Sequence, residues 1–90
     1  MAKSVSIMCE NVDTSALKAN DRLTFTTITG KDENNEYTWS QFSSFLATAS
    51  LDDIHRAVDS LLSQANDAHH VFIEGFEKAE DGSFEVILGS

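Results

Sequence analysis

The sequence predicts an α+β domain in which an antiparallel or mixed sheet of about four to five strands carries two helices, 39–48 and 51–65, on one face. Three observations support this prediction. β-branched and aromatic residues fill much of the first third of the chain, an apolar stripe with helical spacing follows, and the chain ends in a hairpin signal. The predicted element order is β-β-β-α-α-β-β. Ninety residues are about the length of one domain, so residues 1–90 are expected to form a single domain.

Three strand-like segments come before the helical block. Residues 4–9 alternate between apolar and polar side chains, and residues 22–29 are rich in Thr, Ile and Phe, so both segments predict strands. A polar stretch, 30–35, separates the second strand from the short segment 36–38. We expect that segment to return as the third strand and to form a hairpin with the second.

Two helices are expected next. In residues 39–48 the large apolar side chains recur at helical spacing, and Thr38 is placed to cap the first turn. These side chains are Trp39, Phe42, Phe45 and Leu46. The second helix, 51–65, begins after Ser50, with Asp53 three residues on in a variant of the capping box. Its apolar stripe contains Leu51, Ile54, Val58, Leu61, Leu62 and Ala65.

The last twenty residues predict a hairpin whose turn signal is Asp81-Gly82. If these are the two central turn residues, Lys78 lies opposite Glu85 and can form a cross-strand ion pair. The expected outer face of the hairpin then mixes large apolar and charged side chains. These are Phe72, Glu74, Phe76, Lys78, Glu85 and Ile87. Such a face is either partly covered by another segment or exposed as an interface for a second protein.

Acidic residues strongly outnumber basic ones. Fifteen Asp and Glu face six Lys and Arg, which gives a net charge of −9 at pH 7. The basic residues are scattered singly at Lys3, Lys18, Arg22, Lys31, Arg56 and Lys78. Direct binding to nucleic acid or to an anionic membrane needs clustered basic residues, so neither is expected. The acidity is explained either by solubility or by attraction to a basic partner.

The cysteine content and the N-terminal segment bear on the compartment. Cys9 is the only cysteine, so no internal disulfide is possible and a reducing environment is expected. The N-terminus lacks the apolar stretch of a signal peptide, and no segment has the length and apolarity of a transmembrane helix. We therefore expect a cytoplasmic protein, of a bacterium or of the host cell of a virus.

No pattern in the sequence indicates catalysis, a cofactor or a metal. His69 and His70 are adjacent, so on a strand their side chains point to opposite faces, and His55 has no ligand partner at a metal-binding spacing. The paired carboxylates lie at predicted helix starts and turns, where structural roles explain them. No catalytic residue, metal ligand or cofactor is expected, and the chain is not expected to be an enzyme.

The functional expectation is a small acidic protein that occupies a basic surface of a partner, such as a nucleic-acid-binding surface, as an inhibitor or nucleic-acid mimic of a phage or bacterium. The expected partner-binding residues lie on the terminal hairpin. They are Phe72, Glu74, Phe76, Glu77, Glu80, Asp81, Glu85 and Ile87. The alternative is a homo-oligomeric structural or accessory protein, such as a homodimer, that uses the outer face of the same hairpin.

Overall fold

A computed structural model describes residues 6–67 and 69–90. Its elements are β1 (Ile7–Met8), β2 (Arg22–Lys31), β3 (Tyr37–Phe45), α1 (Leu51–Ala65), β4 (Phe72–Lys78) and β5 (Phe84–Gly89). The strands form one sheet in the order β1-β4-β5-β2-β3. It is a mixed sheet, because β1 runs parallel to β4 and β5 parallel to β2, while the other two pairs are antiparallel. The predicted α+β class is confirmed.

The predicted helix at 39–48 is wrong, because residues 39–45 belong to β3, which pairs with β2 along its whole length. In the strand, Phe42 points toward the core, whereas Trp39 and Phe45 point away from it and are 62 % and 65 % exposed. The helix was predicted on the assumption that all three rings are buried on one face. Three of the four residues between the rings are serine (Ser40, Ser43 and Ser44), which has a lower helix propensity than the straight-chain residues.

The second predicted helix is confirmed with its predicted bounds as α1. The Ser50 side chain accepts a hydrogen bond from the backbone N–H of Asp53 at 3.3 Å, which caps the first turn. Asn66 ends the helix in the left-handed conformation, with φ at 52°. The buried side chains of α1 are Ile54, Ala57, Val58, Leu61 and Leu62.

The hydrophobic core lies between α1 and one face of the sheet. The sheet contributes Leu23, Phe25, Ile73, Phe84 and Val86, and the connecting segments contribute Leu17 and Leu46. Among the described elements, none packs on the opposite face, which we call the open face. This asymmetry positions the candidate site, because side chains on alternate strand positions point to the open face.

Asparagine supplies the left-handed backbone positions that the turns require. Within residues 6–67 and 69–90, every non-glycine residue with positive φ is an asparagine. These are Asn11, Asn20, Asn35 and Asn66. Asn tolerates this conformation better than most residues with a Cβ, which matters in a chain that contains no proline.

The terminal hairpin is present, but its predicted register is wrong by one residue. The loop has three residues, 80–82, rather than two: the N–H of Ala79 donates to the carbonyl of Ser83 at 2.8 Å, and the N–H of Gly82 donates back to Ala79 at 3.1 Å. Gly82 has φ at 89°, which is the usual position of glycine in a three-residue hairpin loop.

The shift changes which side chains share a face. Lys78 lies opposite Phe84, so the predicted Lys78–Glu85 cross-strand pair does not form. Phe76 lies opposite Val86 and packs against the core, so its predicted place on the outer face is also wrong. A bulge between Ile73 and Gly75 then shifts the register by one more residue, so that the first residues of β4 point to the predicted faces of the sheet.

Candidate binding surface

An apolar strip crosses three strands on the open face. Phe72 of β4 lies beside Ile7 of β1 and opposite Gly89 of β5. Ile87, two residues before Gly89, points to the same face. Ile7 is 49 % and Phe72 is 38 % exposed. The strip is therefore open to contact.

Three carboxylates adjoin this strip on the same face. Glu77 lies directly opposite Glu85 in the β4–β5 ladder. Glu74 is in the bulge, and its carboxylate lies over Gly89 so closely that a Cβ at that position would collide with it. Directly opposed like charges on one face of an antiparallel pair are unfavourable. We name this surface the hairpin patch; it consists of Ile7, Phe72, Glu74, Glu77, Glu85 and Ile87.

The hairpin patch brings together most of the partner-binding residues that the sequence predicts, but not all of them. Glu80 and Asp81 lie in the loop at the end of the hairpin, where Asp81 accepts hydrogen bonds from Ser83 and forms an ion pair of 3.2 Å with Arg22. Phe76 is excluded, because it packs on the core side. Ile7 joins the patch although the sequence did not single it out, since the β1–β4 pairing spans more than sixty residues.

Most of the aspartates accept hydrogen bonds that support the fold. For example, Asp32 accepts the backbone N–H groups of Asn34 and Glu36, and so organises the β2–β3 loop. Asp59 accepts the backbone N–H of Ser6 at 2.7 Å. The aspartates whose side chains accept hydrogen bonds are Asp13, Asp21, Asp32, Asp53, Asp59, Asp67 and Asp81. Much of the negative charge thus serves turns and caps.

The hydrogen bonds hold the pKa values of several aspartates below the usual value. For Asp81, hydrogen bonds from the side chain and backbone of Ser83 lower the pKa, and the Arg22 charge adds to this effect. For Asp67, burial raises the pKa, but hydrogen bonds from His70 and His69 outweigh it. Asp13 and Asp53 have lowered pKa values because Ser15 and Thr48, respectively, donate to them.

The glutamates differ from the aspartates. Across the part of the chain that the structure describes, no glutamate side chain takes part in a hydrogen bond or ion pair. Four of the seven glutamates lie on the terminal hairpin: Glu74, Glu77, Glu80 and Glu85. The other three are Glu10, Glu33 and Glu36. Asp52 also has no hydrogen-bond or ion-pair partner among the described residues, so half of the eight acidic residues without a structural partner lie at or beside the hairpin patch.

One contact that the sequence did not reveal resembles part of a hydrolase triad in composition. The Ser6 hydroxyl lies 2.7 Å from Nδ1 of His55, and the Asp59 carboxylate binds the Ser6 backbone. In a catalytic triad the acid orients the histidine, and the serine hydroxyl must reach a substrate. Here Asp59 holds the Ser6 N–H, and Ser6 is only 4 % exposed. The contact fastens the start of the sheet to α1.

The other histidines lie beyond the helix. His70 Nδ1 is 2.6 Å from the Asp67 carboxylate, and His69 is exposed. Within the described ranges no three His, Cys, Asp or Glu side chains are grouped so that they could hold a metal ion. A shallow depression beside the Arg22–Asp81 ion pair is lined by residues 20–22, Phe45 and residues 81–83, and it contains no histidine.

Comparisons with known proteins add no relative: no family model, no curated protein and no solved structure matches this chain. In residues 6–67 and 69–90 there is no helix whose length and apolarity would let it cross a membrane.

Proposed function

We propose that this chain is a small acidic binding protein whose hairpin patch docks on a basic surface of a partner protein. One observation carries the proposal: the glutamates have no partner within the described structure, and most of them lie on the terminal hairpin. Charges used for folding are bonded to nearby backbone and side chains. Charges that lack such partners on an exposed apolar face are available for a second molecule.

The patch combines two kinds of attraction. Phe72, Ile7 and Ile87 offer apolar surface that a partner can cover. Glu77 and Glu85 repel each other in the free protein, and an arginine or lysine placed between them would relieve that repulsion. A net charge of −9 also steers the approach of a basic partner over a distance set by the ionic strength.

The partner class that fits this chemistry is a protein with a basic surface of the kind that binds phosphates. Occupation of that surface would exclude nucleic acid, so the activity we propose is that of an inhibitor or nucleic-acid mimic. The single cysteine, Cys9, fits a reducing cytoplasm as the place of action. The same glutamates disfavour self-association through the hairpin patch, because a second copy would bring like charges face to face.

The test has two stages. Proteins that bind the immobilised chain from a bacterial lysate at low salt are eluted with salt and identified, and the dissociation constant of each is then measured across a salt series. We expect affinity to fall as salt rises, and we expect a duplex DNA oligonucleotide to compete. Affinity that is independent of salt would contradict the electrostatic part of the proposal. Simultaneous binding of the partner to DNA and to this chain would contradict the mimicry.

A further inference from the structure

The edge of the sheet formed by β3 is long and uncharged. β3 has nine residues, pairs only with β2 among the described strands, and contains no Asp, Glu, Lys, Arg or His, although the chain carries a net charge of −9. Soluble proteins usually protect such an edge with charges, proline or a covering element, because unpaired backbone groups attract another strand. The opposite edge strand, β1, has only two residues.

The backbone groups that face outward from β3 follow from its pairing with β2. Leu46, directly after β3, donates its N–H to the carbonyl of Asp21 at 2.9 Å and accepts from Asn20 at 2.8 Å, so its polar groups point inward. Backbone groups alternate in direction along an antiparallel strand. The odd-numbered residues from 37 to 45 therefore direct their N–H and C=O groups away from the sheet.

One contact agrees with this direction. The carbonyl of Ser43, an odd-numbered residue, accepts a hydrogen bond from the side chain of Gln64 on α1 at 3.0 Å. The carbonyl has two lone pairs, so this contact leaves it able to accept a second hydrogen bond from another strand.

We propose that β3 pairs in antiparallel fashion with β3 of a second copy of this chain, about a two-fold axis at Gln41. In this register Gln41 lies opposite its own copy and Tyr37 lies opposite Phe45 of the second copy. Trp39 lies opposite Ser43 of the second copy. Each of these pairs joins residues whose backbone groups face outward. No large ring meets a second one except at the Tyr37–Phe45 ends, where cross-strand aromatic pairs are favourable.

A second copy is the occupant that the charge distribution favours. Two chains of −9 repel each other wherever their acidic surfaces meet, and an uncharged strand is the contact that least increases this repulsion. The pairing is also isologous, so it closes as a dimer and leaves no further long edge among the described strands. The exposed rings of Tyr37, Trp39 and Phe45 would then lie within a continuous sheet of ten strands rather than at a free edge.

The size of this contact predicts a reversible dimer. A strand of nine residues is about 30 Å long, and a strip roughly 15 Å wide along it gives about 450 Å² on each copy. The sum, about 900 Å², is near the lower limit for a specific interface. We expect a dissociation constant of roughly 1–100 μM.

This inference does not rest on the function proposed above, and salt separates the two. Salt screens the repulsion between two acidic copies, so dimerisation should strengthen from about 0.02 M to about 0.5 M NaCl. Binding to a basic partner should weaken over the same range. Loss of either behaviour therefore leaves the other proposal intact.

The experiment is sedimentation equilibrium of the full chain at both salt concentrations. We expect a dimer that strengthens with salt, and we expect Gln41→Lys and Gln41→Glu each to weaken it about fivefold or more, because like charges then face each other at the axis. An equimolar mixture of the two variants should recover the dimer. Ser63→Lys, on the exposed side of α1, adds the same charge as Gln41→Lys and should leave the dimer in place.

Folding of each variant is checked by circular dichroism. Gln41→Pro provides a second variant, because proline is tolerated on an edge strand where the lost N–H faces outward; it should be folded and monomeric. A wild-type chain that stays monomeric at about 1 mM in high salt overturns the proposal, and so does a dimer that Gln41→Lys and Gln41→Pro both leave unchanged. A mixture of the charged variants that does not recover the dimer overturns the two-fold axis at Gln41.

Discussion

Glu77 lies directly opposite Glu85 in the β4–β5 ladder, on the face of the sheet that α1 leaves open. No described cation forms an ion pair with either carboxylate. The folded chain thus keeps an unfavourable pair of charges beside the exposed Phe72. A cost of this kind in the free protein is expected where the charges serve a contact with another molecule.

Removal of one of these charges should stabilise the free protein. We expect Glu77→Gln to raise the free energy of unfolding by about 0.2–1 kcal/mol, because a like-charge cross-strand pair is lost. The measurement is urea denaturation at low salt. Glu33→Gln, in the exposed β2–β3 loop, is the matched control and should change stability less. Equal stabilisation by both variants would show that only net charge matters.

The three-residue loop of the terminal hairpin depends on Gly82. With φ at 89°, an alanine at this position is strained, so Gly82→Ala should lower the free energy of unfolding by about 1–2 kcal/mol. Gly75→Ala is the control, because a Cβ there meets nothing within 4 Å. It should be neutral or stabilising by up to about 1 kcal/mol. A Gly75→Ala variant less stable than Gly82→Ala would contradict the loop geometry.

The N-terminal cap of α1 should have a measurable effect. Ser50→Ala removes the acceptor for the Asp53 N–H and is expected to cost about 1 kcal/mol in thermal or urea unfolding. Ser63→Ala, an exposed position inside the same helix, should be neutral or slightly stabilising, because alanine has the higher helix propensity. A Ser50→Ala variant as stable as the wild type would contradict the cap.

Acid should reduce the stability that the turn aspartates contribute to the folded protein. The folded-state pKa of Asp81 lies below 3.8, so its stabilising contribution is present above that pH and is lost as the pH falls through the folded value. Between about pH 5 and about pH 2.5 the urea midpoint of Asp81→Asn should therefore fall less than that of the wild type. Parallel declines in the two proteins would show that the Ser83 and Arg22 contacts do not stabilise the folded state.

The sequence predicted α1 well and β3 poorly, because α1 buries most of its large apolar side chains whereas β3 exposes several of its rings. A helix that buries one stripe and has its own caps is determined locally, and the predicted bounds of α1 are those observed. β3 is an edge strand whose rings at Trp39 and Phe45 are exposed, so a rule that assigns apolar residues to the core gives the wrong period.

The outer face of the terminal hairpin was predicted in part, despite the wrong register. Phe72, Glu85 and Ile87 lie on the expected face because the bulge in β4 offsets the extra loop residue. Phe76 lies on the turn side of the bulge and so moves to the core face. Contacts between distant parts of the chain, such as Ile7 with Phe72, have no local signal in the sequence.

The measurement that tests the central claim most directly compares two double variants with equal charge. Glu77→Gln/Glu85→Gln alters the hairpin patch, whereas Glu33→Gln/Glu36→Gln removes the same charge from the β2–β3 loop. For a partner captured by the wild-type chain, we predict that the first pair weakens binding about tenfold or more at low salt and the second changes it less than about threefold. Equal losses of affinity from the two pairs would contradict a binding site at the hairpin patch.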